Sequence, residues 1–368
     1  MYQYEENGQY FVSCEPLPLT AAETAQGRPI FLYRRAPESG RAAFSATALS
    51  QLTAAGEDVS WLDSRRIAVT QAPPIEAAEW LTGGLRAVNF DHPRWREMAA
   101  WLPKAGKKRV HILAIGDVTS EDGLKHLRRH LSPLKKLKSI DFTVVNGENI
   151  SGTGLTPAQA DELFAAGADV ITLGNHTFGR VQIADYLEDN RYILRPANFS
   201  GRMPGRGCGV YDCGRLRIAV MALIGRYNLD WKAADPFTTA DKLLRELDGK
   251  EKPTFTLLDF HAQATSEKLA LGYYLDGRIS AMWGTHTHVP TADERVMPKG
   301  TGYITDLGMT GAIESVLGIP PEQSIESFLG GLAGRYRFAD GPCKAQGCIF
   351  TLDSDTGLCT AVERVDIR

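Results

Sequence analysis

Residues 109–119 read Arg-Val-His-Ile-Leu-Ala-Ile-Gly-Asp-Val-Thr, an apolar run of strand length over 110–115 that ends in a glycine and an acid. Just downstream, Leu124, Leu127, Leu131, Leu134 and Leu137 recur at spacings of three and four, which predicts one apolar face of an amphipathic helix. A strand, a polar turn and a covering helix make up the unit from which parallel sheets are built. The texture repeats, and further strands are predicted at 142–145, 170–173, 217–223, 255–258 and 281–283. Thr156-Pro157 supplies a capping hydroxyl and a first-turn proline for a helix over 158–166, and Gly167 stops it. The tail, 348–352, Asp355-Thr-Gly357 and 360–365, reads as a closing β-hairpin. The fold class is therefore α/β.

Beyond these units, the 368 residues are long enough for two domains. Residues 1–103 lack a sustained pattern; a strand at 30–33 and short helices at 46–55 and 75–81 predict a small α+β extension whose residues favour no role. Residues 104–109, Lys-Ala-Gly-Lys-Lys-Arg, form a basic linker, and 110–368 make the main domain. With 43% hydrophobic and 23% charged residues, the chain is not disordered, collagenous or a coiled coil. Its formal charge of −3 supplies no broad field for nucleic-acid polymers or anionic lipid, so a charged substrate must be held locally. The longest apolar run, 218–224, is too short to span a bilayer. The polar, acidic start Met1-Tyr-Gln-Tyr-Glu-Glu6 is unlike a secretory signal, so a cytoplasmic location is expected. Six cysteines, spaced Cys208-x4-Cys213 and Cys343-x4-Cys348 among others, make neither a disulfide scaffold nor a usual zinc pattern.

Asp117, Glu148, Asn175, His261 and His286 each stand just past a predicted strand. In open α/β sheets ligands bind beyond the carboxyl ends of the strands, so side chains from distant parts of the chain meet there. Carboxylates, amides and neutral imidazoles form a ligand set for iron, manganese or zinc. The local motifs are Gly116-Asp117, Asn146-Gly-Glu-Asn149, Gly174-Asn-His176, Asp259-Phe-His261 and Gly284-Thr-His-Thr-His288. On an extended His286-Thr-His288, both imidazoles lie on one side, so that one faces each of two adjacent cations. His126 and His130 share a helical spacing but lack the glutamate of a metalloprotease helix, and read as a solvated face.

This order of motifs resembles the calcineurin-like metallophosphoesterase superfamily, specifically its YmdB-like bacterial branch, from about residue 109 to the end. The most specific stretches are Asn146-Gly-Glu-Asn149, Gly174-Asn-His-Thr177, Arg195-Pro-Ala-Asn-Phe199, Asp259-Phe-His-Ala262, Thr265-Ser-Glu-Lys-Leu-Ala-Leu-Gly272, Thr285-His-Thr-His-Val289 and Lys299-Gly-Thr-Gly-Tyr-Ile-Thr-Asp306. The resemblance implies an α/β sandwich of two mixed sheets flanked by helices. It also implies phosphodiester hydrolysis by two divalent metal ions, on cyclic nucleotides including 2′,3′-cyclic AMP. Carried over by motif, Asp117 and His288 hold one metal with Asn149 beside it, Asn175, His261 and His286 hold the other, and Glu148 bridges them. Iron and manganese are the expected metals, with zinc and magnesium also compatible. His176 becomes the proton donor to the leaving oxygen, after direct attack by hydroxide. Arg195, Asn198 and Arg226 have the chemistry to orient a phosphate or a base edge, although Arg195 would serve equally to anchor its own turn.

The first motif departs from many superfamily members, because Asp117-Val-Thr119 has no second imidazole, and Thr119-Ser-Glu-Asp-Gly123 replaces a glycine-rich loop. The branch shares the first of these, whereas the 119–123 loop and the stretch Thr177-Phe-Gly179 after His176 bear on substrate choice, since both should border the pocket. Two rival readings stay open: a phosphomonoesterase or nucleotidase using the same metals, and a regulatory metal- and nucleotide-binding protein that signals through a partner. Either is compatible with a homo-oligomer.

Overall fold

The computed structural model describes residues 2–6, 9–13, 109–213, 216–229, 232–332 and 334–368. The expectations at 30–33, 46–55, 75–81 and 104–108 lie outside the described residues. The chain divides into two units, Met1–Ala105 and Gly106–Arg368. In the first, β1 (Tyr2–Glu6) and β2 (Gln9–Ser13) pair antiparallel.

The second unit opens with β3 (Arg109–Ile115), β4 (Asp117–Val118), α1 (Ser120–Leu137), β5 (Phe142–Asn146), α2 (Pro157–Ala166), β6 (Val170–Thr172), α3 (Ile183–Asp189) and β7 (Ile193–Leu194). It continues with β8 (Cys208–Cys213), β9 (Leu216–Ile224), α4 (Pro236–Glu246), β10 (Phe255–His261), α5 (Thr265–Leu275) and β11 (Ala281–Thr285). β12 (Arg295–Val296), β13 (Gly302–Ile304), β14 (Met309–Ala312), α6 (Pro321–Phe328), β15 (Cys343–Asp353) and β16 (Cys359–Ile367) complete it.

Two mixed sheets result. One runs β4-β14-β15-β3-β5-β6-β7 with β16 on β15, and the other runs β12-β13-β11-β10-β9-β8. Alternation along the strands sorts the side chains into layers. Ile112 and Ala114 of β3 join Val220, Leu257, Trp283 and Phe350 in a core common to both sheets. Leu113 and Ile115 point the other way, onto Leu124, Leu127 and Leu131 of α1 and Leu163 of α2. The outer face of the second sheet packs Met221, Leu258 and Phe260 against Leu244, Leu271 and Leu275 of α4 and α5. The order of layers is helix, sheet, sheet, helix, the two-sheet sandwich expected above.

Five of the six predicted strands extend beyond their predicted bounds, and Val170–Thr172 ends one residue short of its own. α2 carries the complete capping box, Thr156 with Gln159, and ends at left-handed Gly167. The apolar face of α1 ends a turn earlier than its leucine spacing predicts, because Leu137 is 79% exposed. The closing hairpin begins five residues earlier than the tail pattern suggests, since Cys343–Ala345 pair with β14 before the chain reaches β3.

Candidate active site

The carboxyl ends of the parallel strands carry the motif residues. Asp117 follows β3, Glu148 and Asn149 follow β5, Asn175 and His176 follow β6, His261 ends β10, and His286 and His288 follow β11. Parallel pairing of β10 with β11 sets His261 beside Thr285. Gly174 has to be glycine, because a Cβ there would overlap the His261 imidazole.

Around His261 Nε2 stand Asn175 Oδ1 at 2.7 Å, Glu148 Oε1 at 2.9 Å and His286 Nδ1 at 3.0 Å. One imidazole nitrogen carries at most one proton, so it cannot satisfy three acceptors. Such a convergence of lone pairs suits a cation, and Glu148, His261 and His286 offer ligand atoms all within 4.8 Å of one another. A second group adjoins it: His288 Nε2 lies 3.1 Å from the Asn149 amide and 3.7 Å from Asp117 Oδ1. The same amide is 3.5 Å from Glu148 Oε1, which thus touches both groups.

The far nitrogen of each imidazole decides which lone pair faces inward. Thr285 Oγ1 donates to buried Asp259 at 2.7 Å, so it accepts from His261 Nδ1 at 3.0 Å and leaves Nε2 for the site. Gln263 Oε1 accepts from His286 Nε2 at 2.9 Å, which leaves Nδ1 inward. The Leu317 carbonyl accepts from His288 Nδ1 at 3.1 Å, which leaves Nε2 inward. The residues present therefore fit divalent cations. Sequence reasoning gave Asp259, Gln263, Thr285 and Leu317 no role; Asp259 and Thr285 carried a usable signal, since both stand inside the motifs Asp259-Phe-His261 and Gly284-Thr-His-Thr-His288.

His286-Thr-His288 is not extended, as the sequence led us to expect. His286 has φ of +100° and His288 of +62°. The turn is held by Asp117 Oδ2, which accepts from the His286 amide at 3.1 Å, and by Asp306 Oδ2, which accepts from the Thr287 amide at 3.2 Å. The two imidazoles still face different groups, through a bend and not through strand alternation.

Burial pushes the Asp117 carboxyl above its usual range. At Glu148 burial works against the charge, but the His261 ring outweighs it and holds the group at about 2. His261 shows the converse: burial opposes protonation, Glu148 outweighs burial, and the value rises to about 9. Burial, and then the charge on His261, lowers His286 to about 3. In metal-free protein His261 therefore stabilises the fold fully below pH 6.5, an effect lost as pH rises through about 9. A cation has to displace that proton. Calorimetric titration of manganese at pH 7 in two buffers of different ionisation enthalpy is expected to register release of about one proton. Equal heats in both buffers would contradict the assignment of His261 as a ligand.

His176 is half-buried and donates its backbone amide to Glu148 Oε2 at 3.0 Å. Its ring lies outside the lone-pair clusters and lines a cleft of about 790 Å³ together with Asn149, His286 and His288. Arg195, Asn198 and Arg226 do not line that cleft. Arg195 gives its guanidinium to the carbonyls of Pro204, Pro196 and Met203. Asn198 is committed to the backbone of Ile224 and Ala234. Arg226 pairs with Asp235 at 3.6 Å. Among the described residues no helix is long and apolar enough to cross a membrane.

A two-sheet sandwich with polar ligand-type residues gathered at its strand ends has the architecture of metallophosphoesterase-type phosphatases. The description "YmdB-like protein" matches residues 113–365, and the chain belongs to that family. A 2′,3′-cyclic-nucleotide 2′-phosphodiesterase of Bacillus subtilis (strain 168) is 42% identical over 260 residues, 70% of this chain and 97% of that one. A phosphatase crystal structure from Mycoplasma pneumoniae matches with TM-score 0.66 and 32% identity over 70% of this chain and 93% of its own. The crystal structure of a hypothetical protein from Thermus thermophilus matches with TM-score 0.64 and 36% identity, covering 70% of this chain and 98% of its own.

Proposed function

We propose that this chain is a dinuclear-metal phosphodiesterase that hydrolyses a small phosphodiester, with a nucleoside 2′,3′-cyclic phosphate such as 2′,3′-cyclic AMP as substrate. The coarser statement, that it is a phosphoric ester hydrolase, follows from the family and from what its relatives are named. The observation that carries the finer reading is the set of three imidazoles, each with its outer nitrogen occupied by Thr285, Gln263 or Leu317 and its inner lone pair turned to the site.

Asn175, His261 and His286 would hold one cation, and Asp117 and His288 the other with Asn149 beside it, while Glu148 would bridge them. Two bound divalent cations, iron or manganese by preference, would supply charge to offset the phosphate and the acidity that makes water a nucleophile near neutral pH. The chain supplies the rest. Asn175 spends its oxygen on the His261 side and directs its Nδ2 to His176 Nε2 at 3.2 Å. His176, positioned by that contact, would act as an imidazolium that gives a proton to the leaving alkoxide and is left as neutral imidazole. Glu148 fixes the His176 backbone through its second oxygen.

The test is hydrolysis by manganese- or iron-loaded protein of 2′,3′-cyclic AMP, bis-p-nitrophenyl phosphate and p-nitrophenyl phosphate. Turnover of both diesters, faster than the monoester, is expected. Turnover of p-nitrophenyl phosphate and adenosine monophosphates with neither diester touched would replace this reading with a phosphomonoesterase. Tight binding of the cyclic nucleotide without turnover would replace it with a regulatory binding protein.

A further inference from the structure

The cleft beside His176, His286 and His288 has a wall that no motif foretold, the segment Arg335-Tyr-Arg-Phe338. All four of its residues line the cleft. Tyr336 is 59% exposed and Phe338 is 38% exposed. Two aromatic rings left against water in a concave site are apolar area for a ligand to cover. Among the described residues neither Arg335 nor Arg337 is paired with a carboxylate, and both line the cleft beside the motif imidazoles.

The wall is pinned. Gln323 of α6 donates to the Arg335 carbonyl at 2.8 Å and accepts from the Arg337 amide at 3.0 Å, gripping the backbone on both sides of Tyr336. The Ala339 amide donates to the Gly318 carbonyl at 2.8 Å, next to the Leu317 carbonyl that orients His288. The Phe338 ring reaches Gly152, in the loop that follows Asn149. A surface held in this way stacks a ligand with little loss of chain entropy.

We propose that Arg335–Phe338 recognises the nucleoside part of the substrate. A nucleobase stacks on Phe338 and Tyr336, and the guanidinium groups of Arg335 and Arg337 meet the phosphate side. This rests on the phosphodiester reading, since it takes the phosphate to lie at the motif residues. The chemistry of the wall calls for a ligand that is both flat and anionic, as a mononucleotide is and a simple alkyl phosphodiester is not.

Two measurements test it. In saturation-transfer NMR, wild-type protein is expected to bind adenosine through the base protons, and Phe338→Ala to weaken that binding about 5- to 150-fold. Phe338→Tyr should restore it, and R335A/R337A should leave adenosine binding alone but weaken 3′-AMP. In kinetics with manganese-loaded protein, Phe338→Ala should raise KM for 2′,3′-cyclic AMP by the same factor with kcat within about twofold. KM for an abasic analogue, methyl riboside 2′,3′-cyclic phosphate, should not move. Absence of adenosine binding to wild type, or equal losses on the nucleotide and the abasic analogue, overturns the proposal. Adenosine binding needs no catalysis, so a protein that binds the base yet spares both diesters would sink the phosphodiester reading and leave the wall standing.

Discussion

His176→Ala is expected to slow hydrolysis of 2′,3′-cyclic AMP about 10²- to 10⁴-fold while leaving the metal content unchanged. The two halves of that result have separate causes. The His176 ring is absent from the convergence of Asn175, Glu148 and His286 on His261, and only its backbone amide touches Glu148. Removing the ring therefore subtracts no ligand. It subtracts the proton that a departing alkoxide requires, which the imidazolium of a ring positioned by the Asn175 amide would supply. A p-nitrophenolate leaves without protonation, so the loss on bis-p-nitrophenyl phosphate should be much smaller, and added imidazole should restore part of the alkoxide reaction. Equal losses on the two substrates would remove His176 from the proton step.

The position of His176 was legible early because it sits next to a ligand-type asparagine at a strand end, and position in a parallel sheet follows from the strand pattern alone. The same holds for Asp117, Glu148 and His261. The partners of the imidazoles were not legible. Leu317 reaches the site from a distant segment, Asp259 and Gln263 flank His261 two residues to either side, and an amide or a carbonyl does not advertise in sequence which imidazole it will meet. Arg195 and Asn198 show the reverse difficulty. A guanidinium that binds phosphate and one that ties its own loop look alike in sequence, and only the carbonyls of Pro196, Met203 and Pro204 distinguish them. The bend at His286 was misread for a related reason. A His-Thr-His alternation suits a strand, but the Asp117 and Asp306 carboxylates that pull the backbone into positive φ lie 169 and 19 residues away.

The bend leads to the second large effect. Lys268 is fully buried and donates to Asp306 at 2.7 Å and to the Thr285 carbonyl at 2.9 Å. Asp306 in turn accepts from the Thr287 amide at 3.2 Å and the Gly308 amide at 2.9 Å. The pair therefore clamps the chain on both sides of His286, whose left-handed backbone persists only while its surroundings force it. Lys268→Met leaves Asp306 buried without its countercharge and is expected to cost about 3 to 5 kcal/mol, a fall in Tm of roughly 6 to 20 °C. Lys268→Met/Asp306→Leu removes both charges and should recover much of that stability. It does not replace the hydrogen bonds to Thr285 and Thr287, so the double variant should fold, melt near the wild-type temperature, and still lose the cation that we propose His286 helps to hold. Thermal melts read beside metal analysis separate the two roles. A double variant with full metal content and wild-type kcat would mean that the Lys268–Asp306 pair only stabilises the fold and that something else bends His286 toward His261.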